Sequence, residues 1–286
     1  MKVAVIGAGT MGRGIAQASA MAGFGTVLQD VSREALDRSL ALVAADLQEG
    51  VSRGKVRPED RERTISLLKG ETSLEAAGAG ADLVIEAVPE VFALKAEVFR
   101  RLHAACPTGT ILASNTSALS ITEMGASSGR PDRFVGMHFF NPVPRMRLVE
   151  LVRGQGTSDA TMKAAGEAAR SMGKETVVVH ESPGFVTSRI NALIGNEAFR
   201  MLEAGVATAE DIDKALKLGL NHPMGPFEMV DLVGLDVRLS ILDYLHRTLG
   251  ETYRPTEIHR RLVREGRLGR KAGRGVYEYP QKAMKS

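Results

Sequence analysis

The chain has 286 residues, 44% hydrophobic and 25% charged, a balance that excludes disordered and fibrous classes and fits one large domain or two ordinary ones. Its 37 Lys and Arg against 34 Asp and Glu leave +3, too little over this length for a nucleic-acid footprint unless clustered, so no nucleic-acid partner is expected. The single cysteine, Cys106, rules out an internal disulfide and metal sites built from several cysteines; it fits a reducing cytoplasm.

Taken in chain order, Val3–Ile6 is a short continuous apolar run, as expected of a strand buried on both faces. Gly7 follows too soon for a signal-peptide core, and the charge-free run from Gly14 to Gln29 is too rich in Gly, Gln and hydroxyl residues to span a bilayer. Met11, Ile15, Ala18 and Ala22 recur at helical spacing, and Gly23 closes that helix. Thr26–Leu28 is a second strand, ending at Asp30. Strand, glycine turn, helix, strand and acid make one βαβ unit.

The alternation continues. Helices are expected over Ser32–Gly50, Pro58–Leu68 and Val91–Ala105, with a short one opened by the capping box Ser120–Glu123. Strands are expected at Ala81–Ile85, Thr110–Ala113, Phe134–Met137, Leu148–Leu151 and Thr176–Val179. This pattern predicts an α/β fold, a Rossmann-type doubly wound, mostly parallel sheet covered on both faces. After Ser182-Pro-Gly184 the strand signals stop. Helices are expected over Phe185–Glu203, Thr208–Leu218, Phe227–Leu232, Asp236–Thr248 and Glu257–Glu265. The reading is therefore two domains, 1–184 and an all-helical 185–286.

Gly7-x-Gly9-x-x-Gly12 is weak as a bare pattern, but here it follows a strand and opens a helix. Gly7 permits the tight turn, Gly9 lets the backbone approach a pyrophosphate, and Gly12 lets helix and strand pack closely. The helix N-terminus offers free N–H groups to phosphates. Asp30, 18 residues past Gly12, is placed to accept the adenine ribose hydroxyls and to repel a 2′-phosphate, which favours NAD over NADP, with Arg33 close enough to soften the preference.

His138 stands in Gly136–Pro144, where prolines fix the chain beyond it, and Glu150 lies twelve residues on. A His–Glu pair suits general acid/base work; a satisfied structural histidine is the alternative that the local sequence leaves open. Ser114–Ser117 follows a strand, where ligands bind in doubly wound folds, or is an ordinary polar turn. The other five histidines show no metal spacing, so no metal is expected. The turn His222–Pro226 reads as structural.

Together the motifs GAGTMG at 7–12, AVPE at 87–90, SNTS at 114–117, HFFNPVP at 138–144, LVELV at 148–152, SPGF at 182–185, HPMGPFEMVDLVGLD at 222–236 and GRKAGRGVYEY at 269–279 resemble the 3-hydroxyacyl-CoA dehydrogenase family, nearest to its bacterial 3-hydroxybutyryl-CoA members. The resemblance covers nearly the whole chain. It implies NAD-dependent oxidation of the 3-hydroxyl of an acyl-CoA thioester, and the reverse, in fatty-acid β-oxidation or butanoate metabolism. It further implies a thioester held in the cleft between domains and a homodimer formed through the helical domain.

By this resemblance His138 matches the catalytic base and Glu150 its carboxylate partner. Ser117 and Asn141 match polar residues that contact substrate and nicotinamide. Gly7, Gly9, Met11, Gly12 and Asp30 fall in the cofactor turn, and Glu90, Lys95 and Lys271 match cofactor-side positions. The chain departs from the family at Ser188, where an active-site asparagine is usual; an amide both donates and accepts and reaches further than a hydroxyl. That departure bears on rate and acyl length. Arg53, Lys55 and Arg57 sit where the family meets CoA phosphates, or form a solvated surface run. Two other readings are a hydroxy-acid or sugar-acid dehydrogenase without CoA, its acid met by Arg145, Arg147 or Arg189, and a catalytically silent NAD-binding protein.

Overall fold

The computed structural model describes residues 1–279. They form two compact units, 1–182 and the described part of 183–286. The first unit carries β1 (Lys2–Ile6), α1 (Thr10–Met21), β2 (Gly25–Gln29), α2 (Arg33–Ser52), α3 (Pro58–Leu67), β3 (Leu68–Glu71), α4 (Leu74–Gly78), β4 (Leu83–Glu86) and α5 (Phe92–Ala105). It continues with β5 (Ile111–Ser114), α6 (Ile121–Ser127), β6 (Phe134–Phe139), β7 (Leu148–Arg153), α7 (Asp159–Ser171) and β8 (Glu175–His180).

These strands form one sheet in the order β3-β2-β1-β4-β5-β6-β7-β8. The first six in that row are parallel, β7 runs antiparallel to β6, and β8 is parallel to β7. The mostly parallel, helix-covered sheet agrees with the Rossmann-type expectation. Its central strands are continuous apolar runs because helices bury both faces. The chain builds outward from β1 through β2 to β3, then returns to the other side of β1 to lay down β4. The ligand crevice of such sheets lies at that reversal, beyond the carboxyl ends of β1 and β4.

Three elements depart from the sequence reading: edge strand β3, the short helix α4 and helix α7. The helix expected to run through Leu68 stops at Leu67, and Leu68–Glu71 pairs with β2 as an edge strand. Its four residues include Lys, Gly and Glu, so no β-forming run announces it; pairing with β2 overrides local preference. Helix α7 follows Ser158, whose side chain accepts from the Thr161 amide, and buries Met162, Ala165 and Ala169 against the sheet. It supplies the crossover that the parallel pair β7–β8 requires.

The second unit contains α8 (Thr187–Glu203), α9 (Ala209–Gly219), α10 (Pro226–Val233), α11 (Leu235–Leu249) and α12 (Glu257–Arg264). No strand occurs among its described residues apart from isolated bridges at Gly269–Arg274 and Arg274–Glu278. Phe199, Phe227, Val230 and Leu235 form one of its cores. Two buried carboxylates tie the last described segment to it. Asp231 accepts from the amides of Val276 and Tyr277 and from the Tyr279 hydroxyl; Asp213 accepts from the amides of Phe227 and Glu228 and from the Tyr277 hydroxyl. Burial and hydrogen bonding to Asp231 push the Tyr279 phenol up to about 12. No helix among the described residues is long and apolar enough to cross a membrane.

Candidate active site

The glycine turn after β1 is built as its spacing predicts. Gly7 has φ +100°, a conformation that costs glycine little, and a Cβ there would lie 2.8 Å from the Ala87 carbonyl oxygen. A Cβ on Gly12 would lie 1.8 Å from the Gly7 carbonyl oxygen. A Cβ on Gly9 would meet no atom within 4 Å, so the backbone is open on that side. Helix α1 begins here without a side-chain cap, whereas Ser32 and Ser73 cap α2 and α4. Open backbone at Gly9 and an uncapped helix start together fit a pyrophosphate. Met11 packs partly against the core from the first turn of α1.

Asp30 stands at the same end of the sheet, just past β2. Its Oδ2 accepts from the Ala8 amide at 2.8 Å and its Oδ1 from Ser32 at 3.0 Å. The carboxylate is thereby fixed beside the glycine turn and keeps lone pairs for further donors. Arg33 is exposed and paired with Asp37. These residues fit NAD.

On the other flank of the crevice, the turn after β4 is held by buried charge. Glu86 is fully buried and accepts from the Val88 amide at 2.6 Å, the Lys95 ammonium at 2.7 Å and the Ser114 hydroxyl at 2.6 Å. Burial pushes the Glu86 carboxyl up, against the opposing pull of Lys95. Lys95, equally buried, also reaches Glu90 at 3.1 Å and the Val88 carbonyl at 3.3 Å. Glu90 in turn accepts from the Thr116 hydroxyl, the Ser117 amide at 3.0 Å and the Ser117 hydroxyl at 3.4 Å. Glu90 and Ser117 thus come together, and Lys95 lies behind them in the interior.

His138 is the fifth residue of β6, and Glu150 is its direct partner across the antiparallel pair with β7. Directly opposed residues project to the same face, so the backbone register itself brings the two side chains together. His138 Nδ1 and Glu150 Oε2 are 2.7 Å apart; the carboxylate is fully buried and the His138 side chain 10% exposed. With Nδ1–H donating to the carboxylate, Nε2 is the ring atom with a lone pair for proton transfer. The Phe140 ring lies 4.6 Å from the imidazole. Asn115 Oδ1 accepts from the Phe139 amide at 2.8 Å, tying the Ser117 turn to the strand that carries His138.

Asn141 is exposed in the loop between β6 and β7. Lys174 supports that loop from within, donating to the carbonyls of Val143 at 2.5 Å and Met146 at 2.8 Å, and burial pulls its ammonium down. A groove of about 570 Å³ opens beside the loop, lined by Arg13, Gln17, Arg53, Lys55, Asn141 and Arg145. Arg57 is not among its walls and is paired with Asp60. Ser188 and Lys271 belong to the second unit: Ser188 is half-buried in the first turn of α8, and Lys271 is paired with Asp236 at 2.6 Å. No group of three or more His, Cys, Asp or Glu placed to hold a metal occurs among the described residues.

Sequence reasoning missed Glu86 and Lys174 and singled out Asn115 only within its motif. A charged residue ending an apolar strand, with a lysine nine positions on, was the available signal for Glu86.

Residues 2–182 match the family profile described as 3-hydroxyacyl-CoA dehydrogenase, NAD binding domain, and residues 184–279 match 3-hydroxyacyl-CoA dehydrogenase, C-terminal domain. The chain belongs to the 3-hydroxyacyl-CoA dehydrogenase family. The dehydrogenase is 45% identical over 280 residues to the 3-hydroxybutyryl-CoA dehydrogenase of Clostridioides difficile, covering 98% of this chain and 99% of that one. It is 44% identical over 279 residues to the 3-hydroxybutyryl-CoA dehydrogenase of Bradyrhizobium diazoefficiens, with 97% and 95% covered. Among solved structures it is similar to (S)-3-hydroxybutyryl-CoA dehydrogenase from Ralstonia eutropha, with a TM-score of 0.94 and 43% identity over 98% of this chain and 99% of that one. The dehydrogenase is thus an oxidoreductase whose first unit is an NAD binding domain.

Proposed function

We propose that this dehydrogenase oxidises the 3-hydroxyl of a short 3-hydroxyacyl-CoA, of the 3-hydroxybutyryl-CoA kind, to the 3-ketoacyl-CoA, and runs the reverse reduction. The observation that carries this reading is the His138–Glu150 pair, set by strand register at 2.7 Å with its carboxylate sealed from solvent. In oxidation His138 Nε2 takes the proton of the 3-hydroxyl; in reduction the imidazolium returns it to the new alkoxide. Glu150 holds Nδ1 protonated and balances the imidazolium charge. NAD, when bound, supplies the redox chemistry as acceptor or donor of the hydride at C3.

Ser117, fixed by Glu90, and Asn141 orient the substrate oxygen and the nicotinamide side of the site. Gly7, Gly9, Met11 and Gly12 form the dinucleotide turn and Asp30 takes the ribose hydroxyls, favouring NAD over NADP. Ser188 stands in for the family's asparagine, and Lys271 lies on the cofactor side through the second unit. The groove's walls also carry Asp46 and Glu49, the latter paired with Arg53, and its other cations, Arg13, Lys55 and Arg145, suit the phosphates of a CoA thioester. Residues 1–184 serve as the NAD domain and 185–286 as the substrate and dimerisation domain. Exposed Val186, Ile190, Leu218, Leu220 and Leu232 support a homodimer through the latter, and the lone cysteine supports a cytoplasmic site of action.

The test is NADH oxidation with acetoacetyl-CoA, with acetoacetate as the CoA-free control. Turnover with the thioester alone is expected. Equal turnover with acetoacetate would replace this reading with a hydroxy-acid dehydrogenase, and NADH binding without turnover of either would point to a silent binding protein. Loss of His138 in H138A is expected to lower kcat by about a hundred- to ten-thousandfold with little change in NADH affinity.

A further inference from the structure

Glu90 is the one acid whose carboxylate bonds to both the amide and the hydroxyl of Ser117 among the described residues, yet its side chain is 40% exposed. An exposed glutamate has many rotamers, and each attachment narrows them: Thr116 and Ser117 hold one carboxylate oxygen of Glu90, and a further group holds the other. That group is Lys95, whose ammonium meets Oε2 of Glu90 and Oε1 of Glu86. A fully buried ammonium is tolerated only with a buried counter-charge, and Glu86 supplies it. Glu86 is itself held by three donors, Val88 and Lys95 on one oxygen and Ser114 on the other. The chain of contacts therefore runs from Ser114 through Glu86, Lys95 and Glu90 to Ser117. It also fixes the Ala87–Val88 backbone on which Gly7 closes.

We propose that Glu86 is a positioning residue of this site: through the Lys95 ammonium it locks Glu90 against Ser117, so that the dinucleotide turn and the Ser117 hydroxyl are held as one unit. Lys95 then acts on the cofactor side through Glu90. This inference rests on the roles given above to Glu90 and Ser117. It differs from a merely structural ion pair in one respect: removing both charges together restores a structural pair's contribution to folding but leaves Glu90 held through one oxygen only, by Thr116 and Ser117.

The experiment is a mutant cycle on the full chain, read by melting temperature, NADH affinity, kcat and KM. K95M alone strands the buried Glu86 carboxylate and should melt early. E86Q/K95M removes both charges and should regain most of the melting temperature. Its kcat should nonetheless stay lower than wild type by about tenfold to a hundredfold, with KM for the thioester little changed. E90Q should cost as much in the wild-type background and clearly less in E86Q/K95M, because Glu90 has already lost its hold on Lys95 there. Recovery of wild-type kcat in the double variant, or fully additive losses with E90Q, would overturn the proposal. Should the double variant not fold, E86Q, which keeps the side-chain shape, gives the same cycle with E90Q. If no form of the protein turns over acetoacetyl-CoA, the substrate reading has failed, and the cycle is then decided on NADH affinity by the same criterion of non-additivity.

Discussion

Replacing Glu150 with Gln probes the proton-transfer pair with almost no change in volume. The carboxylate is fully buried and 2.7 Å from His138 Nδ1, so solvent screens the pair little. With charge centres roughly 4 Å apart and an effective dielectric constant of about 20, the imidazolium formed during oxidation gains about 4 kcal/mol from the carboxylate. Losing that attraction corresponds to about a thousandfold in kcat. A second effect acts in the same direction: the amide can turn its NH2 toward Nδ1, forcing the proton onto Nε2, where the ring cannot act as a base. NADH affinity should change little, since no cofactor-turn residue is touched. The assay is NADH formation from NAD and 3-hydroxybutyryl-CoA at saturating concentrations, the direction in which His138 acts as the base, with NADH fluorescence titration as the binding control. An E150Q enzyme within about threefold of wild-type kcat, under ~0.7 kcal/mol of barrier, would refute the reasoning that the buried pair carries the proton transfer.

Three further outcomes follow from the geometry. G9A should melt like wild type, because its Cβ meets no atom within 4 Å, yet bind NADH more weakly by about tenfold or more; G12A, whose Cβ falls 1.8 Å from a carbonyl oxygen, should lose both, as melting and titration in parallel will report. D30A should weaken NADH more than NADPH, and equal losses in titrations of the two would remove Asp30 from the ribose site. Although burial pushes the Asp236 carboxyl up, its hydrogen bond to Lys271 and the charge of that ammonium outweigh this and hold it below its usual range. Such a group stabilises the fold above the ordinary Asp value of about 4, and the contribution is lost as pH falls below it. D236N should therefore melt lower than wild type at pH 7 and converge with it in strong acid.

The sheet was legible in the sequence wherever burial on both faces forces a continuous apolar run, as at Val3–Ile6 and Leu83–Ile85. Edge strand β3 was not, because its residues pair with a neighbour on one side only and carry no such run. The glycine turn was legible residue by residue, since Gly7 and Gly12 each answer a steric need that no other side chain meets. His138 and Glu150 could be named, but their pairing could not be derived, because it depends on β7 running antiparallel to β6 and on which residues face each other. Glu86 was illegible for a related reason. A buried carboxylate is explained by its donors, and two of its three come from residues 9 and 28 positions further along.

The clamp in the second unit bears on how the protein is made. Asp213 and Asp231 are fixed in the interior of the helical unit, and several of their donors lie between Val276 and Tyr279, at the far end of the described chain. Glycines at 225 and 275 let the backbone come this close: a Cβ on either would fall within 2.2 Å of one of these carboxyl groups. A nascent chain that has delivered all five helices from α8 to α12 still lacks the Val276, Tyr277 and Tyr279 donors of Asp231 and the Tyr277 hydroxyl that completes Asp213. A chain cut short before Gly275 would leave the buried Asp231 carboxylate without the three donors that hold it, so it should melt lower than the full chain.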